Sequence, residues 1–446
     1  MKKYFLLFTT SFIAFGACLI TASSSSYGMN EESEESKRDV VSARVGLTRA
    51  IEDFQKIHGI HGTMAVGKSG RIVYTATDGN RGPETSCTED TQYPIGSLTK
   101  QFTAVALLHT VLDISCKGNA NDLQKHLNKP IIHFLKKDDE IWGEKQAPNW
   151  ASKVTLHHLL SQTSGLKDVS IPEYLDFGKA SRTRAEVVDL YCKNNEDLSF
   201  EPGSRYEYSN PNFFFAGVVV ERLVNQTLGE YLQAKFFTPL DMEGTFLPDV
   251  GTVEELVTTG KYPKLALGYM YSFKDKSEPL SPVTEYFPSD LNQGDGGVIS
   301  TVGDLTKWNH ALYETESILP EAAKKLMLTP MALPGEEQST YGYGIDVIND
   351  GDERIIYTHK GLVPGYRSII CYDPAHKLTL VQLSNLSQDL SQFIDIMDRQ
   401  GAIKSSPPSE EKEKKIKSLA EEYPVAETQY EQYRLIGWPD IAEALK

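Results

Sequence analysis

The stretch YPIGSLTKQFTAVALLHTVL, residues 93–112, carries the first decision about this chain. Gly96 offers a tight entry, and Phe102, Val105, Leu108 and Val111 then recur at helical spacing, which predicts a helix opening at Ser97. Residues i and i+3 are neighbours on a helix surface, so the Lys100 ammonium can lie beside the Ser97 hydroxyl. A serine hydroxyl is a weak nucleophile until an adjacent base takes its proton. A lysine can be that base when a desolvated or cationic pocket lowers its pKa. The helix start adds backbone N–H groups directed at a developing oxyanion. The same Ser-x-x-Lys spacing recurs at Ser164–Lys167, in a turn after Gln162-Thr163, and at Ser409–Lys412, in a charged run. Only Ser97 combines the glycine entry with an apolar helix to hold it rigid.

Two further segments carry chemistry. Phe200 to Asn210 reads FEPGSRYEYSN, a loop built on Pro202 and Gly203 that can present Tyr208 and Asn210 to one side. A tyrosine coupled to a lysine can shuttle a proton, and an asparagine amide can hold a carbonyl. An aromatic-rich loop taken alone more often packs a core. Late in the chain, His359-Lys360-Gly361 ends an expected strand just before Leu362-Val363-Pro364-Gly365. A glycine there lets a substrate approach the backbone closely. Strand alternation turns Lys360 away from the face that carries His359.

Working outward, Val45, Leu47, Ile51, Phe54 and Ile57 predict a helix. His61–Val66 and Arg71–Thr77 alternate around Lys68-Ser69-Gly70, a hairpin signal. Residues from Ser97 to about Met327 read as helix and loop. Strand character returns at Tyr343–Ile348, Arg354–His359, Tyr366–Tyr372 and Leu378–Leu383, and Leu390–Met397 reads as a closing helix. Two early strands and four late ones predict an α/β fold: one antiparallel sheet flanked by helices, with a mostly helical lobe inserted. The chemistry straddles the insertion, so residues 42–400 are expected to form one catalytic unit. His157 and His158 sit in an apolar stretch near a helix start and read as core or capping residues. His58 and His61 flank a turn.

The termini differ from this body. Lys2 and Lys3, the apolar run Tyr4–Ile20 and the small residues Ala22–Ser26 have the order of a secretory signal over residues 1–28. Phe15-Gly16-Ala17-Cys18 is similar to a lipobox, which makes Cys18 a candidate lipidation site and a lipid-anchored N-terminus an alternative to simple cleavage. An acidic linker occupies 29–41, a charged linker 401–422 and an aromatic-bearing tail 423–446. The net charge of −16 argues against a nucleic-acid partner. Cys87, Cys116, Cys192 and Cys371 show no metal-ligand spacing and leave disulfides or free buried thiols open.

Ser-x-x-Lys, Tyr-x-Asn and His-x-Gly, in that order, resemble the pattern of the serine β-lactamase and penicillin-binding-protein superfamily, in the branch that holds class C β-lactamases, D-alanine peptidases and related esterases. Leu159–Leu166, Pro239–Thr245, Gly296–Thr301 with Asp304-Leu305, and Pro364–Ser368 are similar to further segments of that branch. The resemblance implies an acyl-enzyme: Ser97 attacks a carbonyl, Lys100 with Tyr208 takes its proton, and the N–H groups of Ser97 and Leu362 form an oxyanion hole. Asn210 orients the acyl side chain, and His359, Lys360 and Gly361 line the substrate strand. No metal or organic cofactor is implied. Four positions depart from the pattern: Gln162 replaces a histidine, Asp241 a glycine, and His359-Lys360 a Lys-Thr pair that receives a carboxylate in β-lactamases. A small peptide or ester substrate is expected, with D-alanyl peptidoglycan stem peptides as the candidate in a bacterial envelope. A class C-like β-lactamase and a catalytically silent binding member are the alternatives.

Overall fold

The computed structural model describes residues 61–143, 146–169, 183–248, 256, 260–271, 281–282, 293–334, 339–349 and 355–388. The expected helices at Val45–Ile57 and Leu390–Met397, the signal with Cys18, both linkers and the tail lie outside these residues.

The early hairpin forms as expected. Strands β1 (Gly62–Lys68) and β2 (Arg71–Asp78) pair antiparallel. Ser69 and Gly70 adopt φ of 51° and 74°. Two positive φ values in a two-residue turn match the twist of the strands it joins. The late strands are β3 (Asp346–Asn349), β4 (Ile355–Val363), β5 (Tyr366–Asp373) and β6 (Leu378–Ser384). All six form one sheet in the order β2-β1-β6-β5-β4-β3, with every pairing antiparallel. The α/β architecture is thus the expected one, with the two ends of the described chain meeting where Gly62 faces Ser384.

Two strand boundaries differ from expectation. β4 does not stop at Gly361 but runs to Val363, because Pro364 and Gly365 (φ 81°) supply the turn into β5. β3 starts at Asp346 and not at Tyr343. Residues 341–345 instead turn over the first long helix, where a Cβ on Gly344 would stand 2.6 Å from the Lys100 carbonyl oxygen.

That helix, α1 (Thr99–Thr110), follows a short 3-10 turn at Gly96–Leu98. It is buried on nearly all sides, so the stripe read from Phe102, Val105 and Leu108 is only part of its contact surface. Its polar side meets backbone: Thr103 Oγ1 donates to the Gly294 carbonyl (2.6 Å), and Thr99 Oγ1 accepts from Val298 N–H (3.0 Å). Phe102 packs against Trp308 (ring centroids 4.2 Å) and edge-on to Phe237 (5.5 Å). In the inserted lobe, α2 (Leu156–Leu160) and α3 (Arg184–Asn194) precede α4 (Asn210–Val224), which packs on α1. Helix α5 (Val302–Asn309) lies on β1, β2 and β6. His158 closes a capping box at the start of α2 and His157 Nδ1 meets the Tyr343 hydroxyl at 2.6 Å, the core and cap roles expected of them. The four cysteines left open are free thiols.

Emptying the centre of this core should be expensive. Phe102→Ala is expected to lower unfolding free energy by about 3–5 kcal/mol, the range for a large buried aromatic. Chemical denaturation followed by tryptophan fluorescence checks it, and a loss well below that range would show that the lobe closes over the cavity.

Candidate active site

Gly96 adopts φ 52°, in the left-handed region that favours glycine, and so turns the chain sharply into Ser97. The turn is clamped onto the sheet. Ser368 Oγ of β5 donates to the Ile95 carbonyl at 2.6 Å, and Ile95 N–H donates to the Val298 carbonyl at 2.9 Å. On β4, a Cβ at Gly361 would stand 2.0 Å from that same Ile95 oxygen, so only glycine fits there. Leu362 N is the nearest atom to a Cβ built on Gly96 (3.0 Å), which puts this candidate oxyanion donor beside the serine turn. From Thr91 to Leu108, Ser97 is the one residue that is not buried.

Lys100 is wholly buried, and its ammonium reaches three oxygens. Nζ donates to Ser97 Oγ (3.1 Å), Asn210 Oδ1 (2.7 Å) and the Asp295 carbonyl (2.8 Å). Burial lowers its pKa, opposed by the negative charges of Asp295 and Asp168. In the neutral form Nζ can keep its bonds to Asn210 and Asp295 and accept from the serine. The Tyr208 ring centroid lies 4.9 Å from Nζ, and the Ser97 side chain is near enough to the Tyr208 hydroxyl to favour its ionised form. Enclosure by protein raises the Tyr208 pKa well above the ordinary tyrosine value, so it is a phenol near neutrality. Of the two proton-transfer candidates, Lys100 is therefore better placed to accept and Tyr208 to relay.

The loop carrying Tyr208 is held from below by the residue that departs from the superfamily pattern. Gln162, at φ 58°, accepts from Ser209 N–H (3.0 Å) and Asn212 Nδ2 (2.5 Å) through Oε1, and its carbonyl accepts from Glu207 N–H (3.0 Å). Gln162 thus does a positioning job close to the site. Asp241 sits at φ 53°, a backbone setting in which glycine is the usual residue and Asp among the few side chains tolerated. The accidental Ser164–Lys167 repeat separates cleanly: Ser164 is buried and donates to Asn212 Oδ1 (2.5 Å), while Lys167 is exposed.

His359 is brought to the site but is closed. Its Nδ1 faces the Lys360 carbonyl at 2.8 Å and must carry the proton, which leaves Nε2 to accept from the Tyr341 hydroxyl at 2.9 Å. Burial, with the Lys100 charge nearby, lowers its pKa to about 3, so the ring is neutral. Paired residues across a sheet share a face: His359 pairs with Ile370 and Gly361 with Ser368 on the Ser97 side, whereas Lys360 pairs with Ile369 on the opposite one. Asp346, a charge neighbour of Lys360, pairs with Thr358 on that far face. The structure therefore does not bring Lys360 to the candidate substrate strand surface, as alternation had indicated.

Three residues absent from the sequence reading complete the site. Asp168 Oδ2 accepts from Asn210 N–H (3.2 Å) and Nδ2 (3.0 Å). Asp295 is buried, and its Oδ1 has no hydrogen-bond partner; burial raises its pKa while Lys100 pulls it down. Tyr341 locks His359. Asp295 sits directly before the glycine pair 296–297, and that adjacency was the one signal available for it. Among the described residues no group of His, Cys, Asp and Glu could hold a metal ion.

The family model described as Beta-lactamase matches residues 47–399. Penicillin-binding protein 4* of Bacillus subtilis is 26% identical over 361 residues, covering 78% of this chain and 72% of that protein. Unguisins hydrolase ungD' of Aspergillus campestris is 27% identical over 315 residues, covering 68% of this chain and about half (54%) of that protein. Among solved structures, the octameric penicillin-binding protein homologue from Pyrococcus abyssi aligns with a TM-score of 0.60 at 26% identity, over 77% of this chain and 73% of that one.

A base that must be neutral gives activity that rises with pH through its pKa. The Asp295 charge favours the ammonium of Lys100. Asp295→Asn is therefore expected to move the rising limb of kcat/KM against pH toward lower pH. Lys100→Ala should cost about 10²–10⁴-fold in turnover, the usual worth of a positioned base. A limb that stays in place or moves upward in Asp295→Asn would rule out Lys100 as the group that limb reports.

Proposed function

Because this chain belongs to the Beta-lactamase family of serine hydrolases, we propose that it cleaves a peptide, amide or ester bond through an acyl-Ser97 intermediate. The observation that carries this is the accessible Ser97 hydroxyl 3.1 Å from the fully buried Lys100 amine. Neutral Lys100 takes the hydroxyl proton as Ser97 attacks the carbonyl. The N–H groups of Ser97 and Leu362 receive the oxyanion. Tyr208, beside Ser97, passes its phenolic proton to the leaving group and is reprotonated from the Lys100 ammonium, and water then releases the acyl chain by the reverse relay. Asn210 orients the acyl group. An intact nucleophile, lysine and tyrosine weigh against a silent binding member.

The closed, neutral His359 ring and the far-face position of Lys360 support esters and uncharged amides over β-lactams. A substrate carboxylate finds no free cation on this strand surface, and one missing charge-assisted hydrogen bond is worth roughly 1.5–3 kcal/mol. D-alanyl peptidoglycan peptides are the natural envelope candidate and would meet the same deficit at their terminal carboxylate. Export through the 1–28 signal, with cleavage or lipidation at Cys18, belongs to this proposal.

Two measurements test it. A fluorophosphonate or fluorescent penicillin should label the wild type and fail on Ser97→Ala, while Ser164→Ala keeps its label; labelling that survives in Ser97→Ala sinks the mechanism. For specificity, kcat/KM should be higher for p-nitrophenyl esters than for a chromogenic cephalosporin, and the double change His359→Lys with Lys360→Thr should narrow that gap. A wild type that prefers the cephalosporin would make a class C-like β-lactamase the better reading. Mass spectrometry of the mature N-terminus in the native host decides processing: a retained Met1 contradicts export by this signal.

A further inference from the structure

If the hydrolase reading above holds, the charges around Ser97 go further and name a substrate class. Lys100 spends its three N–H donors on Ser97, Asn210 and the Asp295 carbonyl, so it offers none to a ligand in that state. His359 is neutral with both nitrogens occupied, and Lys360 is on the other sheet face. Among the described residues, two carboxylates stand against this enclosed lysine. Asp295 is buried with an unpartnered Oδ1, too deep to touch substrate but adding to the negative field. Asp168 is different, because it reaches solvent.

Its position is fixed by a chain of hydrogen bonds that starts at the nucleophile: Ser97 Oγ to Lys100 Nζ at 3.1 Å, Nζ to Asn210 Oδ1 at 2.7 Å, Asn210 Nδ2 to Asp168 Oδ2 at 3.0 Å. Asp168 accepts two bonds from Asn210 at Oδ2 and one from Val169 N–H at Oδ1 (2.9 Å). A carboxylate has about four acceptor positions. One is left, beside the amide that orients the acyl group; the residue as a whole reaches solvent, although the protein packed around the carboxylate raises its pKa against the pull of Asn210 and Lys100. We infer that Asp168 is a specificity residue that binds a protonated amine on the acyl donor, so that aminoacyl amides and esters with a free amino group are the preferred substrates. A purely structural role is the competing account, since Asp168 also accepts the first N–H of α4.

The two are separable because only amine binding changes a ratio between substrates. On the purified full chain, kcat/KM is measured near pH 7 for alanine p-nitroanilide and N-acetylalanine p-nitroanilide, in both enantiomers. The wild type should favour the free amine by at least about tenfold, one charge-assisted contact. That preference should fade as pH passes the amine's own pKa of about 8. In Asp168→Asn both rates can drop, but the ratio should collapse toward one, and Asp168→Glu should restore part of it. Where anilide turnover is too slow, the same comparison is read as protection of Ser97 from fluorophosphonate by alaninamide and by N-acetylalaninamide. Equal handling of the two by wild type, or a preference that survives in Asp168→Asn, overturns the inference. Absence of any Ser97 labelling in the wild type overturns the hydrolase reading itself, which keeps the two failures apart.

Discussion

An ammonium taken out of water must have its donors met or give up its proton, and Lys100 lives under that constraint. Three oxygens from three separate segments meet it: a hydroxyl from the turn before α1, an amide oxygen from the start of α4, and a carbonyl from residue 295. Each of those segments needs its own support. Gly96 and Ser368 hold the first, Gln162 and Asp168 the second, and the threonines of α1 the third. The desolvation that makes Lys100 costly to bury also lowers its pKa, and so the same enclosure serves proton transfer.

The substrate strand shows how small a change redirects such a site. A cation in place of His359 would face the nucleophile from β4. The imidazole instead turns inward, bonded to its own neighbour's carbonyl and to Tyr341. The wall at β4 is therefore neutral, and Lys100 is the cation that acts on Asp168 and Asp295.

Much of this was readable from residues alone, and what was not has a physical cause. Alternation and turn chemistry located all six sheet strands, because each is bounded by glycine, proline or an Asx cluster. Helix geometry brought Ser97 and Lys100 together, since an i, i+3 pair shares a helix face, and the family resemblance added Tyr208 and Asn210. The strand limit near Tyr343 follows from packing on α1, and the one near Gly361 from the Pro364-Gly365 turn that lets β4 run on to Val363. Asp168 and Tyr341 carry no local signature, and Asp295 only its place before a glycine pair: their importance lies in what stands opposite them across long loops. Gln162 shows in the sequence only as a departure from the pattern, because its bonds to Ser209 and Asn212 cross nearly fifty residues.

The clamp between Ser368 Oγ and the Ile95 carbonyl joins residues 273 positions apart in the chain, and β1 meets the late strands through β6. Contacts of such sequence separation form late, after the loop-closure entropy of almost the whole domain has been overcome. Until β5 and β6 join the sheet, the turn before Ser97 lacks its clamp, so an unfinished polypeptide carries Ser97 and Lys100 unseated.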